Sequence, residues 1–310
     1  MELLCPPDIF QEGKIREELG EDKDRLINKL KLLKEWIQYN SYLPQGYDET
    51  ILTTFLRGCK HDLEKTKKKI QTYFIACCTN SEFLGNRIGS LNDDMKATEF
   101  ISAVMMPRLT PEGYRVIIIK LTDSNVDRFD LVKTYRYISR IADIKVHEDT
   151  LIAGEVFVID ASLATTEILA KFLSNTTKKA ISLALDMYPV RIKSIHVISS
   201  IPFIQNILIV LKTVIKDKLI KRFYFHKSVD KLCDFVPLKC LPGDYGGPQR
   251  PLKEINEDWK GKVVGFREKY LQMGGEMRLN GPVPHEFKKV SGDVETEFGV
   301  QGSFRKLNLD

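Results

Sequence analysis

Patterns that mark several common protein classes are missing from the sequence. Its 310 residues include only six cysteines, and no two of them are spaced as Cys-x-x-Cys. Scattered cysteines are typical of reduced thiols in a cytosolic protein, not of a disulfide framework or a zinc site. We therefore expect a cytoplasmic protein that needs no metal ion and no cofactor.

Long apolar runs and a strong charge imbalance are missing too. The segment Met1–Pro7 has neither the basic region nor the apolar core of a signal peptide, and Glu2 excludes N-myristoylation. No stretch reaches the roughly 20 apolar residues of a membrane-spanning helix. With 47 basic and 42 acidic residues the net charge is +5, which is small for a protein that neutralises many phosphates of DNA or RNA. We expect no nucleic-acid partner.

The usual motifs of enzymes are also missing. No glycine-rich dinucleotide loop, Walker loop or Gly-x-Ser-x-Gly elbow occurs, and the five histidines show no ligand spacing. Asp160 ends a predicted strand, where catalytic acids can lie, but the sequence shows no partner for it. His196 lies inside a predicted strand, as a hydrogen-bonded core histidine would. We therefore expect no catalytic residues and no enzymatic activity.

The most informative stretch is Tyr188–His226, which joins basic pairs to a very apolar segment. The apolar pattern predicts a helix from about 202 to 221. It is apolar on nearly all sides, so it is either buried or in contact with lipid. Four basic residues flank this segment: Arg191, Lys193, Lys218 and Arg222.

This stretch resembles the CRAL-TRIO lipid-binding family, in the branch of the α-tocopherol transfer and retinaldehyde-binding proteins. In that branch a Phe/Tyr-Pro-x-basic-x-basic-x-Ile-His strand, matched by Tyr188–His196, leads into a mobile gate helix over a lipid cavity. A second match is Leu241–Gly247, with Asp244 where the family has glutamate. The resemblance covers about residues 20–250.

The resemblance implies an α/β fold in which an N-terminal all-helical bundle precedes a CRAL-TRIO lipid-binding domain. A mostly parallel sheet would form the floor of that domain, helices its walls, and a mobile gate helix its lid. Helical spacing before residue 100 and alternating strands and helices after it agree with this layout. The expected domains are the helical bundle (1–100), the lipid-binding domain (101–250) and a C-terminal helix and tail (251–310).

Three groups of site residues follow from the resemblance. The phosphoinositide head group would be bound by Arg191, Lys193, Lys218 and Arg222. The lipid cavity would be lined by Ile138, Ala180, Leu183, Ala184 and Tyr188. The side chains of the gate helix that face the ligand would be Phe203, Ile207, Val210, Leu211 and Val214.

Two departures from the family pattern affect these expectations. The family has Phe-Leu-Arg-Ala-Arg where this chain has Phe55–Cys59, so the second arginine, which helps to hold phosphoinositide, is replaced by Cys59. This implies a weaker or rearranged head-group site. At residues 160–163 the family often has Asp-x-x-Gly, whereas this chain has Asp-Ala-Ser-Leu. The backbone is expected to turn differently at Leu163.

The expected function is the intracellular binding and transfer of a hydrophobic lipid, such as a tocopherol, retinoid or carotenoid. Release would be coupled to phosphoinositide-containing membranes, which a monomeric protein would contact peripherally. The alternative is a phosphoinositide-sensing membrane adaptor without a cargo, whose cavity would be collapsed. The basic residues could also be ordinary strand-edge and helix-end charges, and the apolar helix could be static core.

Overall fold

The computed structural model of the protein describes residues 3–84, 87, 89–276, 279–282 and 284–287, excluding the side chains of 272–276 and 286. The helices are α1 (Ile9–Leu19), α2 (Lys23–Tyr39), α3 (Glu49–Gly58), α4 (Leu63–Thr79), α5 (Ser81–Leu84), α6 (Leu91–Asp94), α7 (Leu131–Glu148), α8 (Thr166–Phe172), α9 (Asn175–Met187), α10 (Ile207–Leu211), α11 (Asp217–Ile220), α12 (Leu252–Gly265) and α13 (Arg267–Glu276). The strands are β1 (Ile101–Leu109), β2 (Tyr114–Leu121), β3 (Gly154–Asp160), β4 (Ile192–Ile198) and β5 (Phe223–His226).

The first four helices begin at aspartates, as the sequence suggests for α3 and α4. In each case the carboxylate accepts a hydrogen bond from a backbone N–H of the first turn, which satisfies a donor that the helix itself leaves free. The caps are Asp8, Asp22, Asp48 and Asp62. The apolar faces of α2, α3 and α4 then form one buried cluster, which includes Leu33, Ile37, Phe55 and Phe74.

A single sheet in the order β1-β2-β3-β4-β5 forms the centre of the second half. The strands β2 to β5 run parallel, as expected for strand–helix–strand units, whereas β1 pairs antiparallel with β2. The sequence reasoning did not identify β1. Its residues form a continuous apolar run that includes Pro107, and proline is tolerated there because β1 is an edge strand.

The prediction of one continuous helix from 202 to 221 is wrong. The structure has a 3₁₀ turn at Ile204–Asn206, the short helix α10, an irregular connection and then α11. Many residues of this segment are β-branched, and such side chains lose rotamer freedom in a helix. In addition, no side chain caps the start of the 3₁₀ turn, of α10 or of α11. The segment is therefore apolar but only weakly helical.

A buried carboxylate joins the two halves of the molecule. Asp143 on α7 accepts hydrogen bonds from the hydroxyls of Tyr188 (2.8 Å) and Tyr270 (3.1 Å) and forms an ion pair with Arg87 (2.8 Å). Burial is the largest cause that raises the pKa of both tyrosines. These bonds connect α7 with the residue after α9 and with α13, and the ion pair with Arg87 connects it with the N-terminal half.

The C-terminal helices pack back on the sheet. Trp259 of α12 is fully buried, and its indole N–H donates to the carbonyl oxygen of Met105 in β1 at 3.0 Å. Residues 288–310, the last part of the predicted C-terminal helix and tail (251–310), lie outside the described residues. Within the described ranges, no helix combines the length and the apolar character needed to cross a bilayer.

Candidate head-group site and gate segment

Three of the four predicted basic residues meet at the start of β4. Arg191 and Lys193 flank Ile192, so strand alternation places them on one face of the sheet. The guanidinium of Arg222, the residue before β5, donates to the carbonyl oxygen of Ile192. This basic edge therefore comes from two neighbouring strands.

Tyr114 of β2 lies beside these cations. The ammonium of Lys193 is 4.8 Å from the centre of its ring, a cation–π distance. Burial raises the pKa of the Tyr114 hydroxyl, and the charges of Arg191 and Arg222 act in the opposite direction. The ring and these three cations thus form one neighbourhood.

Lys218, the fourth predicted residue, is placed differently. It is exposed on α11, one turn before Arg222, and forms no ion pair with another described residue. The structure therefore brings Arg191, Lys193 and Arg222 together and leaves Lys218 exposed on α11, four residues before Arg222.

An acidic side chain that the sequence reasoning missed lies among the cations. One oxygen of Glu18, in the last turn of α1, is 2.8 Å from Arg191, 3.0 Å from Lys193 and 3.4 Å from Lys60. The hydrogen bond from Lys193 is the largest cause that lowers the pKa of Glu18 to about 2. Glu18 is therefore ionised at neutral pH. No local signal could identify it, because it precedes the part of the chain that carries the family resemblance.

The position of the missing family arginine is buried. Cys59 is 2% exposed, and burial raises the pKa of its thiol. The next residue, Lys60, adopts a left-handed backbone conformation (φ 54°), and so does His61 (φ 57°). This turn directs Lys60, rather than residue 59, to Glu18.

The gate residues form a gradient of exposure. Phe203 is 76% exposed and Leu211 is 4% exposed, whereas Ile207, Val210 and Val214 are half-buried. Outside the predicted set, Ile209 is 67% exposed. Among the described residues of the three core clusters, none comes from the stretch 201–225. This gate segment, residues 201–222, is thus held to the molecule mainly by Leu211 and Ile215, which are 4% and 7% exposed.

The predicted cavity residues separate into two groups. Ile138 packs against the cluster around the sheet, whereas Leu183, Ala184 and Tyr188 pack with the cluster of the N-terminal helices. Ala180 is buried on α9. The hydroxyl of Tyr188 is held by Asp143, so this side chain is fixed by hydrogen bonds in the joint between the two halves.

A small polar pocket lies beside the basic edge. Its cavity volume is about 10 Å³, which is the space of a single water molecule. It is lined by residues of α3, the end of α7 and the starts of β3 and β4, including Arg57, Lys145, Glu155 and Arg191. A pocket of this size cannot hold a lipid.

The Leu241–Gly247 turn is anchored on the sheet by Asp160. The hydroxyl of Tyr245 donates to the Asp160 carboxylate at 2.6 Å, and Ser162 donates to its other oxygen. Burial raises the pKa of Tyr245. A Cβ on Gly247 would lie 2.0 Å from the carbonyl oxygen of Leu241, so this turn requires glycine. Asp160 therefore serves the turn, and its partners resemble a structural anchor rather than a catalytic group.

His196 is indeed a hydrogen-bonded buried histidine. Its ring nitrogens lie 3.0 Å from His226 and 2.9 Å from the hydroxyl of Ser194, and the ring stacks on Tyr224. Burial is the larger cause that lowers the pKa of His196 to about 4.

Comparisons with known families match both halves of the chain. Residues 22–88 match the model of a Pinta-like UBA domain, and residues 102–247 match the CRAL/TRIO domain. Human alpha-tocopherol transfer protein-like is 25% identical over 262 residues, which are 84% of this chain and 75% of that protein. Clavesin-1 of Xenopus laevis is 21% identical over 250 residues, covering 79% of this chain and 74% of the relative. The crystal structure of Sfh5 is 12% identical, with a TM-score of 0.41, and the alignment covers 76% of this chain and 92% of that one.

Proposed function

This chain belongs to the CRAL-TRIO family, whose members bind and transfer lipids, and we propose that it carries a hydrophobic small molecule to membranes that contain phosphoinositides. The proposed steps are binding of the cargo in an apolar site, docking on the membrane through the basic edge, and opening of the gate segment. The observation that carries the proposal is that the gate segment exposes Phe203 and Ile209 and ends at Arg222, in the basic edge.

The apolar surface suits contact with acyl chains. Phe203 and Ile209 are mostly exposed and belong to a segment that contributes nothing to the core clusters among the described residues. Burying a phenylalanine side chain in an apolar medium is favourable by about 1.5–3 kcal/mol. Phe203 and Ile209 can meet a bilayer without uncovering the two buried side chains of the segment, Leu211 and Ile215.

The basic edge suits the head group. The gate segment ends at Arg222, which lies beside Arg191 and Lys193, and Lys218 is exposed one turn earlier. Each lysine or arginine near an anionic membrane surface contributes on the order of 1 kcal/mol. A ligand shifts a conformational equilibrium only by its different affinities for the two states. Head-group binding would therefore favour release if these residues bind it better when the segment is open.

The proposed cargo is an isoprenoid such as a tocopherol, retinoid or carotenoid. The support is the resemblance to alpha-tocopherol transfer protein-like relatives and the apolar character of the gate residues. An apolar site gains roughly 25 cal/mol for each Å² of apolar surface removed from water, and it discriminates by shape.

A transfer assay with matched variants tests the proposal. The protein is loaded with α-tocopherol, and the rate of transfer to vesicles is measured with and without phosphatidylinositol bisphosphate. Transfer should be faster with the phosphoinositide. Lys218→Glu should reduce that rate at least about fivefold, because it removes a cation and adds an anion. The control is Lys216→Glu, which changes the charge equally at an exposed position outside the proposed site. Equal rates for both vesicle types would contradict the coupling.

The second candidate is a phosphoinositide-sensing adaptor without a cargo. The close packing around Tyr188 and Ala180 favours it, because two predicted cavity walls are buried in packed contacts. A protein that binds phosphoinositide vesicles but takes up neither tocopherol nor retinoid would be such an adaptor.

A further inference from the structure

The position of Glu18 is not explained by the stability of its own helix. It lies in the last turn of α1, where the helix dipole disfavours a negative charge. Its three cationic partners are Lys193 in β4, Arg191 just before β4 and Lys60 in the turn after α3. The carboxylate thus takes the position that an anionic ligand of the basic edge would occupy.

The cations are arranged for more acceptor oxygens than Glu18 supplies. One oxygen of the carboxylate receives both Arg191 and Lys193. The Nη1 group of Arg191 is buried and has no hydrogen-bond partner among the described residues. A phosphate group has three acceptor oxygens and a larger charge, and arginine binds it in a bidentate manner.

Lys60 belongs to the same cluster through a strained turn. Lys60 and His61 are consecutive non-glycine residues with positive φ, and such conformations cluster at functional sites. The turn brings the ammonium of Lys60 to 3.4 Å from Glu18. It thereby restores a cation beside Arg191 although Cys59 replaces the family arginine.

The helix that carries Glu18 is held by a small contact. Ile15 and Leu19 of α1 are buried in a satellite cluster, separate from the two larger clusters, that includes Leu109, Ile152 and Ala153. Regions with few buried apolar contacts open more easily than the rest of a protein. Moving the last turn of α1 would therefore cost the contact of Leu19 with this small cluster and leave the two larger clusters intact.

We infer that Glu18 is an internal competitor for phosphate groups at the basic edge, and that Lys60 is a further cation of this site. The ligand is a phosphate monoester on a lipid head group, which displaces the carboxylate and lifts the end of α1. The inference rests on the proposed function, since it concerns the same basic residues.

Glu18→Gln tests the competition, and Glu17→Gln is its matched control. Both substitutions remove one negative charge from an exposed position of the same turn, but Glu17, unlike Glu18, forms no ion pair with a described residue. Binding is measured to vesicles with phosphatidylinositol bisphosphate and to soluble inositol trisphosphate. Glu18→Gln should tighten both by about tenfold, the loss of one charge-assisted competitor, whereas Glu17→Gln should leave both near wild type.

The results separate this inference from the proposed function. If wild type binds the phosphoinositide and both variants bind equally well, the competition is wrong and the proposed function stands. If Glu18→Gln tightens binding to vesicles alone, it acts through general membrane charge, and the inference is overturned. If no variant prefers phosphoinositide vesicles to vesicles of equal charge, the head-group site itself is wrong, and the inference falls with it.

Lys60 is tested where Glu18 no longer pairs with it. In the Glu18→Gln background, Lys60→Gln should weaken binding of inositol trisphosphate about fivefold, whereas the control Lys68→Gln, exposed on α4, should not. Equal affinities for the two double variants would remove Lys60 from the site. Hydrogen exchange gives an independent readout: amides of residues 16–21 should lose protection when inositol trisphosphate binds, and unchanged protection would contradict displacement of α1.

Discussion

The joint around Asp143 and the gate segment differ in how their polar and apolar groups are satisfied. At the joint, a carboxylate that is 1% exposed receives two tyrosine hydroxyls and an arginine, and α7, α9 and α13 meet around it. In the gate segment, large apolar side chains such as Phe203 face solvent, and the backbone is only partly helical. The joint therefore holds its helices in one arrangement. The gate segment instead exposes apolar surface that a bilayer or another apolar partner could cover.

The difference teaches where stability and function reside. Buried polar groups that are fully bonded specify a unique arrangement, and removing one partner leaves the others unsatisfied. Exposed apolar side chains contribute little to the fold and can contribute much to binding. Substitutions at the joint should therefore change stability, whereas substitutions at the gate should change membrane binding.

The largest effect on stability is expected at the joint. Asp143→Ala leaves Arg87 without its buried counter-charge and removes the carboxylate that accepts from Tyr188 and Tyr270, so it should lower the free energy of unfolding by about 3–5 kcal/mol. Asp127→Ala at an exposed position is the control, and urea unfolding is the measurement. Equal midpoints for the two variants would show that the joint does not hold the two halves together.

The signature turn should show the next largest effect. In Gly247→Ala the new Cβ would collide with the backbone of Leu241, and a loss of about 1–3 kcal/mol is expected. Gly261→Ala is the matched control, because nothing lies within 4 Å of its Cβ and it is inside α12. That change should stabilise the protein by about 0.5–1 kcal/mol. A Gly247 variant as stable as wild type would contradict the described turn.

A pH-dependent loss of stability is expected at the strands that precede and follow the gate segment. The pKa of His196 is about 4 in the folded protein, below its ordinary value of 6.5, so the unfolded chain binds more protons between these values. Stability should therefore fall as the pH falls from about 6.5 to about 4. The pKa of His226 is lowered as well, in the same direction. Urea midpoints across this range should depend less on pH in His196→Gln, and an unchanged dependence would exclude His196 as a source.

The smallest effect on stability is expected at Phe203. Phe203→Ser should change the free energy of unfolding by less than about 0.5 kcal/mol, because the side chain is mostly exposed. The same variant should bind phosphoinositide vesicles about tenfold more weakly, since the phenyl ring no longer enters the membrane. Ile27→Ser, at an exposed position of α2, is the control. A Phe203 variant that unfolds easily but binds normally would reverse the comparison.

Much of the fold could be predicted because local patterns agree with it. Runs rich in β-branched residues mark β2, β3 and β4, an aromatic run marks β5, and aspartates mark the starts of α3, α4 and α7. The strand β1 is not predicted, because its apolar run contains Pro107 and shows no alternation of apolar and polar residues. The apolar run from 202 to 221 predicts a continuous helix, but its β-branched residues disfavour one. Glu18 could not be predicted at all, since its role depends on contacts with residues more than 170 positions away.

The central claim is that the protein carries an apolar small molecule. It is tested most directly by organic extraction of the purified, natively folded protein followed by mass spectrometry of the extract. A hydrophobic small molecule in stoichiometric amount, of the size of a tocopherol, retinoid or carotenoid, is the predicted result. A protein that yields no such molecule, and that also fails to take up added tocopherol or retinoid, would contradict the claim.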